Sequence, residues 1–148
     1  QVISQVSKKI DKVITPKYSS EGHVSVMSKN KLPEVLSIIR LSKSFKDWFI
    51  LCRTNKELFE LADKCQEYEV PFTTFKREGM TLFELRQKMN QNRVKILTVH
   101  VSKGLEAPNV VLYGYFPVVC PNYRKDEEER KVMYVGVTRA IDNLYILN

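Results

Sequence analysis

The sequence predicts an α/β fold with a mostly parallel sheet, and three observations point to it. Short apolar runs of strand type alternate along the chain with segments whose apolar residues recur at helical spacing. One run, Trp48-Phe-Ile-Leu-Cys52, is apolar at every position, as a strand covered on both faces requires. Two capping boxes, Thr54-x-x-Glu57 and Thr81-x-x-Glu84, each open an amphipathic segment.

Taken in order, Val2, Val6, Ile10, Val13 and Ile14 fall at helical spacing, and Thr15-Pro16 ends that run. Residues 15–22 are polar, with Pro and Gly, and read as a loop. His23 to Met27 alternates Val24 and Val26 with polar neighbours, a short strand. Asn30 to Pro33 reads as a helix start, with Val35, Leu36, Ile38 and Ile39 supplying an apolar face. After the Trp48–Cys52 strand, Leu58, Leu61, Ala62 and Cys65 line one face of a helix capped by Thr54. Pro71 to Phe75 is a further strand. The second capped helix carries Leu82, Leu85 and Met89 on one face. Strands follow at Arg93–Val99 and Val110–Tyr113. Asp126 opens a helix whose first turn holds Glu127, Glu128 and Glu129, acidic residues that complement the helix dipole. Leu144 to Leu147 is the last strand. No internal repeat, low-complexity stretch or linker interrupts the 148 residues, a length that suits one domain with a real core.

Composition narrows the function classes. No apolar run approaches the roughly 20 residues of a membrane span, and Gln1 to Ser7 carry no secretory pattern. Cys52, Cys65 and Cys120 are odd in number, far apart and without a CxxC, which argues against a disulfide framework or a zinc site. A reducing, cytoplasmic setting is the expectation. The net charge of +7, from 24 basic and 17 acidic residues, points to an anionic partner, nucleic acid first, and equally, taken alone, to a merely soluble basic surface.

Two segments are candidates for chemistry, the first of them also readable as an ordinary strand-to-loop exit. Thr98-Val-His-Val-Ser-Lys-Gly-Leu-Glu106 leaves a strand and enters a loop at the expected carboxyl edge of the sheet, where open α/β sheets bind ligands. Gly104 there permits positive φ. Glu128-Glu-Arg-Lys-Val-Met-Tyr-Val-Gly-Val-Thr-Arg-Ala140 is an amphipathic helix ending at Arg139, whose planar guanidinium suits bidentate phosphate recognition. The competing reading of Arg139 is a surface arginine paired with a neighbouring acid.

Together these segments resemble motifs V and VI of the UvrD/Rep/PcrA-like superfamily 1 helicases, and Phe49-Ile-Leu-Cys-Arg-Thr-Asn55 resembles motif IV of the same family, in the family's order. The resemblance implies a three-layer RecA-like domain, the second motor domain (2A) of an ATP-dependent DNA helicase. It implies that Arg139 reaches the γ-phosphate of ATP, with Arg53 beside it as a second phosphate contact. Glu106 would lie near the nucleotide ribose. His100 and Thr98 would lie near single-stranded DNA, with Lys103 and Gly104 shaping the loop between the two ligands. Tyr134 is expected to pack in the interior or cleft.

The sequence also departs from the family. None of the five glycines is followed by Lys-Ser/Thr, so there is no Walker A motif. Asp126-Glu127-Glu128 follows Arg124-Lys125 and not a buried strand, so it is not read as a magnesium motif, and no metal ligands are assigned. ATP and Mg2+ would therefore be held by an N-terminal RecA-like domain outside this chain, and the isolated domain is expected to be inactive. Only residues 76–93 fill the space where relatives carry a large accessory domain, 2B. Ala107 stands where many members carry an aromatic residue. Two alternatives stand beside the helicase reading: a catalytically degenerate nucleic-acid-binding module, and an RNA-directed or polymerase-associated translocase of the same superfamily.

Overall fold

A computed structural model describes residues 22–75, 80–114 and 135–148. Its elements are β1 (His23–Met27), α1 (Leu32–Ser42), β2 (Trp48–Cys52), α2 (Asn55–Glu67), β3 (Phe72–Thr74), α3 (Leu82–Asn90), β4 (Val94–Thr98), β5 (Ala107–Tyr113) and β6 (Ala140–Leu147). Short 3-10 turns at Lys29–Lys31 and Phe45–Asp47 precede α1 and β2. The six strands form one sheet in the order β1-β6-β5-β2-β4-β3, and every pair is parallel. The α/β class and the parallel sheet expected from sequence are what is found.

Parallel strands need both faces covered, and two hydrophobic clusters do this. On one face Trp48, Ile50, Cys52, Val94, Ile96, Val111 and Leu147 pack against Leu32, Val35, Leu36 and Ile39 of α1 and Leu58, Leu61 and Cys65 of α2. On the other, Phe49, Leu51, Leu97, Val110, Leu112 and Leu144 pack against Leu85 of α3, Val99 and Val137. All five residues of β2 are buried, which explains its uninterrupted apolar composition. The Cys52 and Cys65 thiols are free and buried, and burial pushes both up to about 12, so they pack as small hydrophobes.

Both capping boxes form. Thr54 Oγ1 accepts from the Glu57 amide at 3.2 Å, and Thr81 Oγ1 from the Glu84 amide at 3.1 Å. The reciprocal arm of the first is displaced by one residue: Glu57 Oε1 accepts from the Arg53 amide at 3.2 Å. In α3 the expected apolar face is only partly used. Leu85 is buried and Met89 packs on the core, whereas Leu82 is 63% exposed. As the first residue of a nine-residue helix, Leu82 lies beyond that contact.

Strands β5 and β6 begin earlier than their apolar runs. Ala107 pairs with Ala140 and Asn109 with Asn143, so mutual hydrogen bonding extends both strands through residues of weak strand preference. A register shift at Ala107/Asn109 brackets Pro108, which lacks a ladder donor. The expected helices at residues 2–14 and from Asp126, together with Cys120 and Tyr134, lie outside the described residues. Among the described residues no helix is long and apolar enough to cross a membrane.

Among the described residues, Lys95 is the one charged side chain in the set of large, fully buried residues. Its Nζ donates to the carbonyls of Gln91 at 2.9 Å and Lys46 at 3.3 Å. Burial pulls its pKa from 10.5 down to about 8, partly opposed by Asp47. The fold thus binds fewer protons than the unfolded chain between about pH 8 and 10.5, and this group adds stability as pH rises through that window. The two cysteines act in the opposite sense above pH 9. Lys95→Met removes the lysine contribution alone. The melting temperature of the variant minus that of the unsubstituted protein should therefore fall steadily from pH 7 to pH 9.5, and thermal denaturation checks this.

Candidate functional site

The two rims of the sheet hold different residues. At the amino-terminal rim the starts of β5 and β6 are tied by the Ala107 amide, which donates to the Arg139 carbonyl at 2.9 Å. Glu106, exposed, immediately precedes Ala107. Glu106 and Arg139 are therefore neighbours across adjacent strands, although 33 residues separate them in sequence.

The Arg139 side chain is held in place. Its Nε donates to the Val135 carbonyl at 3.0 Å, one terminal nitrogen to the Leu105 carbonyl at 3.2 Å, and the other to Thr138 Oγ1 at 2.8 Å. All three acceptors are neutral. Among the described residues no carboxylate forms an ion pair with this guanidinium. The group is thus oriented while its charge stays uncompensated by these residues, and a guanidinium has five N–H donors, so contacts remain for a ligand. The turn that supports it depends on Gly136. A Cβ at that position would meet Leu112 Cδ2 at 2.9 Å, so any larger residue must displace Leu112 or move residues 135–137, which are helical, away from β5.

At the carboxyl-terminal rim, β2 ends at Cys52 beside Thr98 at the end of β4, and the Val99 amide donates to the Cys52 carbonyl at 3.0 Å. Arg53 therefore stands next to the turn that follows β4. That turn is closed by the Val101 and Ser102 amides, which donate to the Thr98 carbonyl at 3.1 and 3.2 Å, and by Ser102 Oγ, which donates to the Val99 carbonyl at 2.6 Å. His100 and Lys103 are exposed on it. Gly104 adopts φ +81°, the left-handed conformation expected of it, and the chain then crosses the sheet face to Glu106. Val99, Val101 and Leu105 anchor this crossover in the core.

The expected sites are thus separated into two groups. Thr98, His100, Lys103 and Arg53 share one rim, and Glu106 and Arg139 share the other. The two arginines expected to meet at one phosphate are divided between these groups. β5 is seven residues long, so its two ends are roughly 20 Å apart at the rise of a parallel strand. Arg53 lies past one end of that span and Arg139 past the other, so the two stand at opposite rims of the sheet. Thr138 and the Leu105 carbonyl were missed in sequence. A backbone acceptor leaves no side-chain signal, and Thr138 read only as part of the run leading to Arg139.

Comparison with known proteins agrees with this architecture. The crystal structure of the C-terminal domain of a possible DNA helicase from Lactobacillus strain WCFS1 superposes with a TM-score of 0.64, at 14% identity, over 99% of this chain and 85% of that one. That likeness concerns the fold. Residues 78–148, which include both Glu106 and Arg139, match the UvrD-like helicase C-terminal domain. The chain belongs to this family. UvrD-like relatives include the ATP-dependent DNA helicase Rep of Buchnera aphidicola from Acyrthosiphon pisum, 35% identical over 62% of this chain and 16% of that protein. The ATP-dependent DNA helicase srs2 of Schizosaccharomyces pombe is 31% identical over 88% of the chain and 16% of that protein. The ATP-dependent DNA helicase PcrA of Bacillus subtilis is 41% identical over 39% of the chain and 9% of that protein. The UvrD-like chain thus spans at most about a sixth of the length of these relatives.

Gly136 provides a local test. Gly136→Ala forces Leu112 or the 135–137 turn to give way, and overpacking of this kind costs about 1–3 kcal/mol. Urea denaturation should show a lower midpoint with an unchanged slope.

Proposed function

We propose that the chain is the second motor domain of an ATP-dependent DNA helicase or translocase, acting with an N-terminal RecA-like domain that holds ATP and Mg2+. The observation that carries this reading is the Arg139 guanidinium, fixed by three neutral acceptors beside Glu106 at the amino-terminal rim of the sheet. Among the described residues this cation meets no carboxylate. A cation meant for a ligand is better oriented without being neutralised. Arg139 would stabilise charge on the transferring phosphoryl group, and Glu106 would accept hydrogen bonds from the nucleotide sugar. The retained geometry weighs against a catalytically degenerate module.

Mg2+ ligands are assigned to the first domain. Among the described residues no three His, Cys, Asp or Glu side chains gather as a metal site. Residues 76–93 would be the short replacement of a 2B domain, making the parent enzyme compact.

Thr98, His100 and Lys103 would contact the single-stranded DNA backbone. Arg53, adjoining the same turn, is proposed here as a DNA-side cation and not as a second finger. The crossover from Val99 to Leu105 then links DNA at one rim to nucleotide at the other. ATP binding favours the closed pairing of the two motor domains, and hydrolysis removes that preference, so alternating grip becomes movement along the strand.

Two experiments test the reading in the protein that carries both motor domains. Arg139→Ala should lower DNA-stimulated ATP turnover by about 10³-fold or more, as loss of an arginine finger does, and turnover within a few fold of the unsubstituted protein would refute the assignment. Single-strand affinity should fall steeply with salt, and Lys103→Ala should reduce the slope of log K against log salt by about one, the signature of one lost phosphate contact.

A further inference from the structure

We propose that Thr138 is a positioning residue for Arg139, a role that rests on the finger reading above and deepens it. A threonine hydroxyl has one proton and two lone pairs. Here its oxygen lies 2.9 Å from the Val135 carbonyl, which can only accept, so the proton is committed there. The lone pairs are left for Arg139, whose terminal nitrogen donates to them at 2.8 Å. Val135 accepts from both partners, because Arg139 Nε donates to the same carbonyl at 3.0 Å. Val135, Thr138 and Arg139 thus close a small hydrogen-bonded ring in which the hydroxyl's direction is not free to reverse.

The ring does two things that a hydrophobic or acidic residue could not do together. It fixes the plane of the guanidinium from the side of its own turn, while the Leu105 carbonyl at 3.2 Å fixes it from the crossover. It also leaves the positive charge intact, because a hydroxyl orients without neutralising. Without the hydroxyl the terminal nitrogen loses an acceptor, and the plane is held from that turn through Nε alone. An arginine required at one place in a transition state is sensitive to such loosening, since small misplacements of catalytic groups cost up to about 100-fold in rate.

Thr138→Val and Thr138→Ser separate this role from packing. Valine keeps the branched shape and removes the hydroxyl, and serine keeps the hydroxyl and removes the methyl group. In the two-domain protein with saturating single-stranded DNA, Thr138→Val should lower kcat roughly 10- to 100-fold with KM for ATP little changed. Thr138→Ser should restore kcat to within a few fold. Combining Thr138→Val with Arg139→Ala should cost no more than Arg139→Ala alone, because the two act as one unit. Thr138→Ala serves as a second hydroxyl-free variant should the valine protein fold poorly, with the same loss expected. The proposal is overturned if the hydroxyl-free variants keep full kcat, or if Ser is as impaired as Val. If Arg139→Ala itself retains turnover, the finger reading fails first. If Arg139→Ala is inactive while Thr138→Val is fully active, only the role of Thr138 fails.

Discussion

One backbone hydrogen bond organises the site: the Ala107 amide donating to the Arg139 carbonyl at 2.9 Å. It joins the first residue of β5 to the residue just before β6, two neighbouring parallel strands inside the sheet. Because the strands are parallel, their starts lie on the same rim, so Glu106 and Arg139 become neighbours whatever the intervening chain does. The same constraint sends the ends of β2 and β4 to the other rim, where Arg53, Thr98 and His100 gather. Strand direction therefore sorts these five scattered polar residues into two groups at opposite rims.

That sorting explains what the sequence could and could not disclose. Strand β2 was legible because complete burial demands an unbroken apolar run, and both capped helices because Thr and Glu at that spacing satisfy amide donors that would otherwise be orphaned. Gly104 was legible because a positive φ favours a residue without Cβ. The starts of β5 and β6 were not, since Ala107, Pro108, Ile141 and Asp142 become strand only through the partner beside them. Nor could sequence order alone say which rim each arginine occupies. Arg53 follows a strand and Arg139 precedes one, a distinction of strand polarity that puts them at opposite rims.

The crossover from Val99 to Glu106 acquires its meaning from this layout. It begins in a tight turn at the rim holding His100 and ends beside the guanidinium at the opposite rim, with three of its residues held in the core. Its carbonyl at Leu105 touches Arg139 directly. A shift of the turn on nucleic acid and a shift of the guanidinium on nucleotide would thus act on one short, anchored segment. Packed interiors transmit displacement and do not absorb it, so such a segment is physically suited to coupling.

The division of labour between the two arginines is the central claim, and the DNA-concentration dependence of ATP turnover in an Arg53→Ala protein containing both motor domains tests it most directly. The account predicts that more single-stranded DNA is needed for half-maximal stimulation while kcat at saturating DNA returns to near the unsubstituted value. A kcat that stays depressed by orders of magnitude at saturating DNA would place Arg53 at the phosphoryl group and contradict the account.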